Sequence, residues 1–350
     1  MERKRILLLA GGRSDEHRVS IVSARSLLEA YRSAPPSGAP QLVFEVQVIS
    51  RQGLWLDREA SLAALQRGEA RQSGERLLEK SMLHDGFDVV FPLLHGPQGE
   101  DGTVQGLLSL AGLPFVGSSV LSSALCMDKV LAKDVLAAAG MPQPPYTLVK
   151  RPAFVADPQR CVQLLRESFG ATHKFPYFVK PANLGSSVGI TKVLDAAGLH
   201  RALQTAFDFD RRAIVEKGVE QARELEVAIL GNDAPQASVV GEITCSREFY
   251  DYEAKYTPGH AQMHIPADIP AAIATQVQRL ALQAYGLLDC AGLARIDFFY
   301  QPQNQKLYVN EINTMPGFTP LSMYPKMWEA SGITYPQLIT KLVELAQQSR

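Results

Sequence analysis

The sequence predicts an α/β chain, with a helix-covered parallel sheet in its first third and an α+β remainder. Three observations carry this. Strand-like and helix-like segments alternate from Arg5 to Leu94, which favours a mostly parallel sheet. A turn-rich stretch, Pro114 to Ser119, then marks a domain boundary. Beyond it, the segments 177–193 and 295–313 each read as two strands returning across a turn. At 350 residues the chain exceeds one ordinary core, and typical domain sizes give roughly two or three.

The first strand, Arg5 to Ala10, follows a basic start. Its apolar run is too short for a leader and ends in Gly11-Gly12, so it reads as a buried strand. A helix from about Arg18 to Tyr31, a strand from Leu42 to Ser50 and a strand from Asp88 to Leu94 complete this part, with Ser33 to Pro40 as a surface insertion. Next come one helix over Ser122 to Gly140, stopped by Pro142-Gln143-Pro144-Pro145, and helices over Asp195 to Phe207 and Ala271 to Tyr285. The polar, aromatic segment from Ser246 to His264 reads as a long loop, and loops of that length are often functional.

Composition excludes several classes. The chain is 46% hydrophobic and 20% charged with a net charge of −1, and no basic tract marks a nucleic-acid or anionic-membrane binder. It has no run of about 18 apolar residues that would span a membrane. Its four cysteines form no CxxC pair, which fits a reducing compartment and the cytoplasm.

The segment Arg295 to Asn313 carries the clearest chemistry. A turn centred near Asn304 places Asp297 opposite Glu311 and Arg295 opposite Asn313, all on one face. Ile296, Phe298, Tyr300, Tyr308 and Ile312 then form the apolar face. Two crowded carboxylates and an amide oxygen suit a hard cation such as phosphate-bound Mg²⁺. A salt bridge from Arg295 to Asp297 is the alternative, and the hairpin alone leaves both open.

Elsewhere the signals are weaker. Lys180 ends an apolar strand before Gly185-Ser186-Ser187-Val188-Gly189, whose glycines let backbone N–H groups approach an anion or simply make a flexible turn. Lys129, in Met127-Asp128-Lys129, is a second phosphate candidate or a solvated charge. Ile214 to Val219 runs into a turn before Glu224, a crossover that could hold a nucleotide base; alone, Glu216 and Glu224 are strand-edge charges.

Taken in order, these pieces resemble the ATP-grasp fold, specifically the D-alanine:D-alanine ligase family, over nearly the whole chain. The carriers are Gly11 to Ser20, His95 to Gly102, Met127-Asp128-Lys129, Lys180 to Gly189, Tyr252-Glu253-Ala254-Lys255-Tyr256, Arg295-Ile296-Asp297 and Asn310 to Gly317. The resemblance implies an N-terminal Rossmann-like substrate domain (1–117), then a two-domain ATP-grasp module made of a central lid domain (118–219) and a catalytic domain (220–350). ATP would be held by Lys129, Lys180, Glu216, Lys217, Val219, Glu224 and Phe249, with Lys255 near its γ-phosphate. Two Mg²⁺, replaceable by Mn²⁺, would bind Asp297, Glu311 and Asn313.

By the same resemblance, ATP phosphorylates the carboxylate of one D-alanine and a second D-alanine displaces the phosphate, supplying peptidoglycan precursors. Glu16 would pair with the first ammonium group, with Val19, His95 and Asp101 shaping that pocket; locally Glu16 is also a favourable helix N-terminal charge. Arg295 and the Gly317 N–H would stabilise the oxyanion, and Ser322 and Met323 would face the second carboxylate. Glu16, Ser186 and Tyr256 would hydrogen-bond on loop closure, excluding water. A homodimer is implied as well. D-lactate or another D-amino acid is the alternative second substrate, against which Lys255-Tyr256 argues. A noncatalytic ATP-binding regulator conflicts with the intact Arg295, Asp297, Glu311 and Asn313, and a dinucleotide oxidoreductase with the missing GxGxxG after Ala10.

Overall fold

The computed structural model describes residues 3–72, 74, 86–170, 175–185, 188–245, 261–319 and 321–348. Three sheets follow one another along the described chain. The first is parallel: β1 (Arg3–Gly11) lies between β2 (Gln41–Ile49) and β3 (Val89–Pro92). The apolar run of β1 exists because both its faces are covered, as expected in a parallel sheet. Ile6, Leu8 and Ala10 join the core containing α1 (His17–Ser33), whereas Leu7 and Leu9 join a second core with Val104 and Leu108 of α3 (Thr103–Leu110). The helix α2 (Arg58–Arg67) also packs against the first of these cores through Ala64 and Leu65.

Gly11 ends β1 with φ +89, and a Cβ there would stand 2.2 Å from the Ile49 carbonyl oxygen. Only glycine lets the chain turn here so closely against β2. Glu16 therefore sits just above the carboxyl end of a central parallel strand.

The expected single helix over Ser122 to Gly140 is two helices, α4 (Val120–Met127) and α5 (Lys129–Ala138). Asp128 breaks the ladder because its side chain accepts a hydrogen bond from Leu131 N, ending one helix and capping the next. The freed Lys129 amide donates to Ala182 O at 2.9 Å, and Asp128 bridges to Asn183, pinning the start of α5 to the chain after β5.

The second sheet is antiparallel, with β7 (Arg212–Lys217) between β4 (Tyr146–Lys150) and β5 (Tyr177–Pro181), and β6 (Thr191–Val193) at the edge beyond β5. The hairpin expected over 177–193 is the β5–β6 pair. Alternation divides this sheet. Tyr177, Val179, Ala213 and Val215 join a core with α6 (Arg151–Ala156), α7 (Pro158–Ser168) and α8 (Ala196–Phe209). The other face, with Lys180 and Glu216, looks toward α5.

The third sheet is also antiparallel, in the order β10 (Ala261–His264), β9 (Gln236–Cys245), β8 (Arg223–Gly231), β11 (Gly292–Gln301), β12 (Lys306–Asn313). The end of the segment expected to be one long loop, Ser246 to His264, is thus a paired strand. One face packs on α9 (Ala271–Leu287) and on Cys126, Ala132 and Leu136 of α4 and α5. Along the other face β8 reads Glu224, Glu226, Ala228, Leu230. Its apolar half is covered by α10 (Met323–Ala330) and α11 (Tyr335–Ala346), which share a core with α1, and its acidic half, Glu224 and Glu226, lies outside that core. Among the described residues no helix is long and apolar enough to cross a membrane.

The hairpin register holds at its chemical end, where Arg295 faces Asn313 and Asp297 faces Glu311. A bulge then shifts the pairing between Asp297 and Phe298, leaving Asn310 as the extra residue. Val309 and Leu307 consequently enter the core beside Phe298 and Tyr300, and Tyr308, expected on the apolar face, pairs with Phe299 on the opposite one.

Candidate active site

The acidic hairpin and the lysine-bearing face of the second sheet meet across α5. Lys129 and Lys133 stand four residues apart on this helix and so share a face. Lys129 Nζ donates to Leu184 O at 2.6 Å and lies 3.9 Å from Glu311 Oε2. Lys133 Nζ is 2.8 Å from Glu216 Oε1, while Lys180 pairs with Glu216 Oε2. Burial alone would push the Glu216 carboxyl up, but Lys133 and Lys180 outweigh it and hold its pKa at about 2. Lys180 also feels Glu311 and Glu224, so three lysines and three carboxylates share this cleft.

On β11, Arg295 grips Asp297 through two parallel bonds of 2.7 Å each, from Nε and Nη2. Its Nε is also 3.1 Å from Glu226 Oε2, and Glu226 faces Asp297 across the β8–β11 pair. The salt bridge named as one alternative in the sequence is therefore present, with Glu311 and Asn313 opposite on the same face. Nη1 lies outside this fork.

The donor set fits a hard divalent cation. Asp297 and Glu311 are directly opposite, and Asn313 follows two residues on, on the same face. Asn313 Oδ1 accepts from Met315 N at 2.9 Å, which fixes the amide and leaves a second lone pair. Among the described residues no three His, Cys, Asp or Glu side chains form a closed metal cage. Two carboxylates and an amide, completed by substrate phosphates, are the usual ligand set for Mg²⁺.

A second cleft, of about 230 Å³, lies beside the first sheet and includes Leu184, whose carbonyl accepts from Lys129. It is lined on one side by Ser14, Glu16 and Gly96 and on the other by Leu184, Gly185 and Val188. Glu16 occupies the N-cap position of α1, yet its side chain makes no capping bond, so helix capping does not consume its carboxylate. Ser14 Oγ donates to His95 O at 2.6 Å, and His95 Nδ1 lies 3.1 Å from Met315 O, so three distant segments converge here. Burial would push the His95 pKa down, but Glu100 and Glu16 outweigh it and hold it above the ordinary value. Val19 is half-buried one turn into α1. Asp101 spends its oxygens on Gln98 N and Thr103 N, within its own turn.

The turn after β12 brings Gly317 against Ser322: a Cβ on Gly317 would lie 2.9 Å from Ser322 Oγ. That hydroxyl accepts from Thr319 N at 3.0 Å and shapes the turn into α10. The Met323 side chain is buried in the core at the start of α10. At the crossover, the Lys217 and Gly218 amides donate to Pro145 O and Pro176 O, Val219 is half-buried, and Glu224 stands on the acidic face. Ser186, Phe249, Lys255 and Tyr256 lie outside the described residues.

Two residues were missed by the sequence reading. Lys133 could have been found from its four-residue offset to Lys129, and Glu226 from its two-residue offset to Glu224.

Comparison with known proteins agrees with this geometry. The D-ala D-ala ligase N-terminus family matches residues 5–118 and the D-ala D-ala ligase C-terminus family residues 135–344. A D-alanine--D-alanine ligase of Deinococcus radiodurans is 52% identical, covering 99% of this chain and 100% of that protein. The solved D-alanine-D-alanine ligase of Coxiella burnetii is 37% identical with a TM-score of 0.78, over 99% of this chain and 94% of its own. VanG D-Ala:D-Ser ligase of Enterococcus faecalis is 33% identical with a TM-score of 0.81, over 99% and 100%. With both family regions matched in order and a relative aligned end to end, the chain belongs to the D-alanine–D-alanine ligase family.

Proposed function

We propose that the chain joins two D-alanine molecules into D-alanyl-D-alanine at the expense of ATP, for peptidoglycan precursor synthesis. The observation that supports this most is the convergence of the lysine-lined cleft, the Arg295–Asp297–Glu311 face and the Glu16 pocket. A carboxylate has no leaving group an amine could displace, so phosphoryl transfer must create one. Glu16 would pair with the first ammonium group and His95 would shape its pocket. Lys129 and Lys180 would meet the phosphates, with Glu216, Lys217, Val219 and Glu224 around the nucleoside. Asp297, Glu311 and Asn313 would hold two Mg²⁺, which when bound spread the charge of the transferring phosphoryl group.

The second amine then adds to the acyl carbon, and the oxyanion that forms would accept hydrogen bonds from Arg295 and the Gly317 N–H. Phosphate leaves as the carbonyl re-forms. Ser322 and the backbone of Met323 would receive the second carboxylate at the start of α10, where N–H groups are unpaired by the helix. The division at 117/118 and 219/220, a homodimeric assembly and a cytoplasmic site of action belong to the same proposal.

Incubation with ATP, Mg²⁺ and D-alanine tests it, with parallel mixtures containing D-serine or D-lactate. The expected products are the homodipeptide, ADP and phosphate in equal amounts. A predominant mixed product would overturn the choice of second substrate, and no ADP release would overturn the ligase reading.

A further inference from the structure

Lys133 cannot touch a ligand. Its side chain is only 4% exposed, sealed beneath α5, with the Tyr146 ring 5.7 Å from Nζ. A buried ammonium group is costly, and an apolar residue there would pack more cheaply, since Glu216 already has a partner in Lys180. Yet the two oxygens of Glu216 are divided between two lysines from different elements, one on α5 and one on β5.

The division sets the charge of the site. With Lys133 the group Lys133–Glu216–Lys180 carries a net +1. Without it Lys180 would be neutralised by Glu216 and would still face Glu311 and Glu224. In a buried setting one unit of charge strongly alters the attraction for an anion. We propose that Lys133 is a positioning residue that acts through Glu216. It takes up half of that carboxylate, so that Lys180 is less neutralised by Glu216 and presents more positive charge to the polyphosphate of the nucleoside triphosphate. This rests on the ligase reading, and it gives the Glu216 carboxylate a second task beside its place near the nucleoside.

The test uses the full chain and three variants: Lys133→Met, Lys133→Met/Glu216→Gln and Lys133→Arg. Equilibrium binding of ATP with Mg²⁺, KM for ATP and for D-alanine, and thermal midpoints are measured for each. Lys133→Met should weaken ATP binding by about tenfold or more while KM for D-alanine stays within about twofold. The double variant restores the net charge of +1 and keeps an oxygen acceptor at this position, so it should recover part of the ATP affinity, whereas Lys133→Arg should recover most of it. A purely structural lysine gives a different pattern: a lower midpoint, unchanged ATP affinity, and no recovery when Glu216 is neutralised. That pattern, or a double variant as weak as the single one, overturns the proposal. Failure of the unaltered chain to bind ATP would instead overturn the ligase reading on which it stands.

Discussion

Replacing Arg295 by alanine separates its ion pairing from the oxyanion role proposed for it. Arg295 lies between Asp297, through two 2.7 Å bonds, and Glu226, at 3.1 Å. Its removal takes the guanidinium away from two carboxylates that face each other across adjacent strands. Breaking a buried pair in this way costs about 3–5 kcal/mol. At about 2–4 °C per kcal/mol, the thermal midpoint should fall by about 6–20 °C. Loss of one oxyanion donor costs a further 2.7–4 kcal/mol or so at the transition state, about 100- to 1,000-fold in kcat.

Adding Glu226→Gln to this variant should recover part of the midpoint, because like charges no longer oppose, while kcat stays low. ATP affinity, assigned in the proposal to the lysines across the cleft, should remain within about threefold in both variants. Coupled ADP release, ATP titration and thermal denaturation read the three quantities. A single variant that keeps kcat, or a double variant that regains it with stability, would refute the oxyanion role. Equal losses in ATP affinity and kcat would do so too.

Two further outcomes follow from the structure. The His95 pKa is raised in the fold, so its protonation stabilises the protein; the contribution is fully present below the unfolded value of 6.5 and is lost as pH rises through the folded value. Denaturant unfolding of the wild type and His95→Asn should therefore differ most at acid pH and converge as pH rises; a difference independent of pH would contradict the Glu100 and Glu16 pairing. Gly11→Ala places a methyl group 2.2 Å from Ile49 O at a positive φ, and should lower stability by at least about 1–3 kcal/mol. An unchanged urea midpoint would remove the steric argument for that turn.

How far these features could be read from the sequence depends on how local their causes are. The facing of Asp297 and Glu311 followed from a turn near Asn304 and strict alternation. The bulge at Asn310 did not, because a bulge reflects how the two strands twist against their neighbours, and Tyr308 went to the other face. Asp128 has the residue type of a helix cap, but its capping role was hidden inside a continuous apolar-periodic run. What decides it is the pairing with Asn183 and the ion pair with Arg212, both distant in sequence. Lys133 and Glu226 were overlooked for a related reason: each is an ordinary charge by itself and gains meaning only when burial forces it onto a partner.

The central claim is that the carboxylate of one D-alanine is phosphorylated before the peptide bond forms. D-alanine labelled with ¹⁸O in its carboxylate, supplied with ATP and Mg²⁺, tests it most directly. The released inorganic phosphate should carry an oxygen from the labelled carboxylate for each dipeptide made. Dipeptide formed with unlabelled phosphate, or with AMP in place of ADP, would contradict the account.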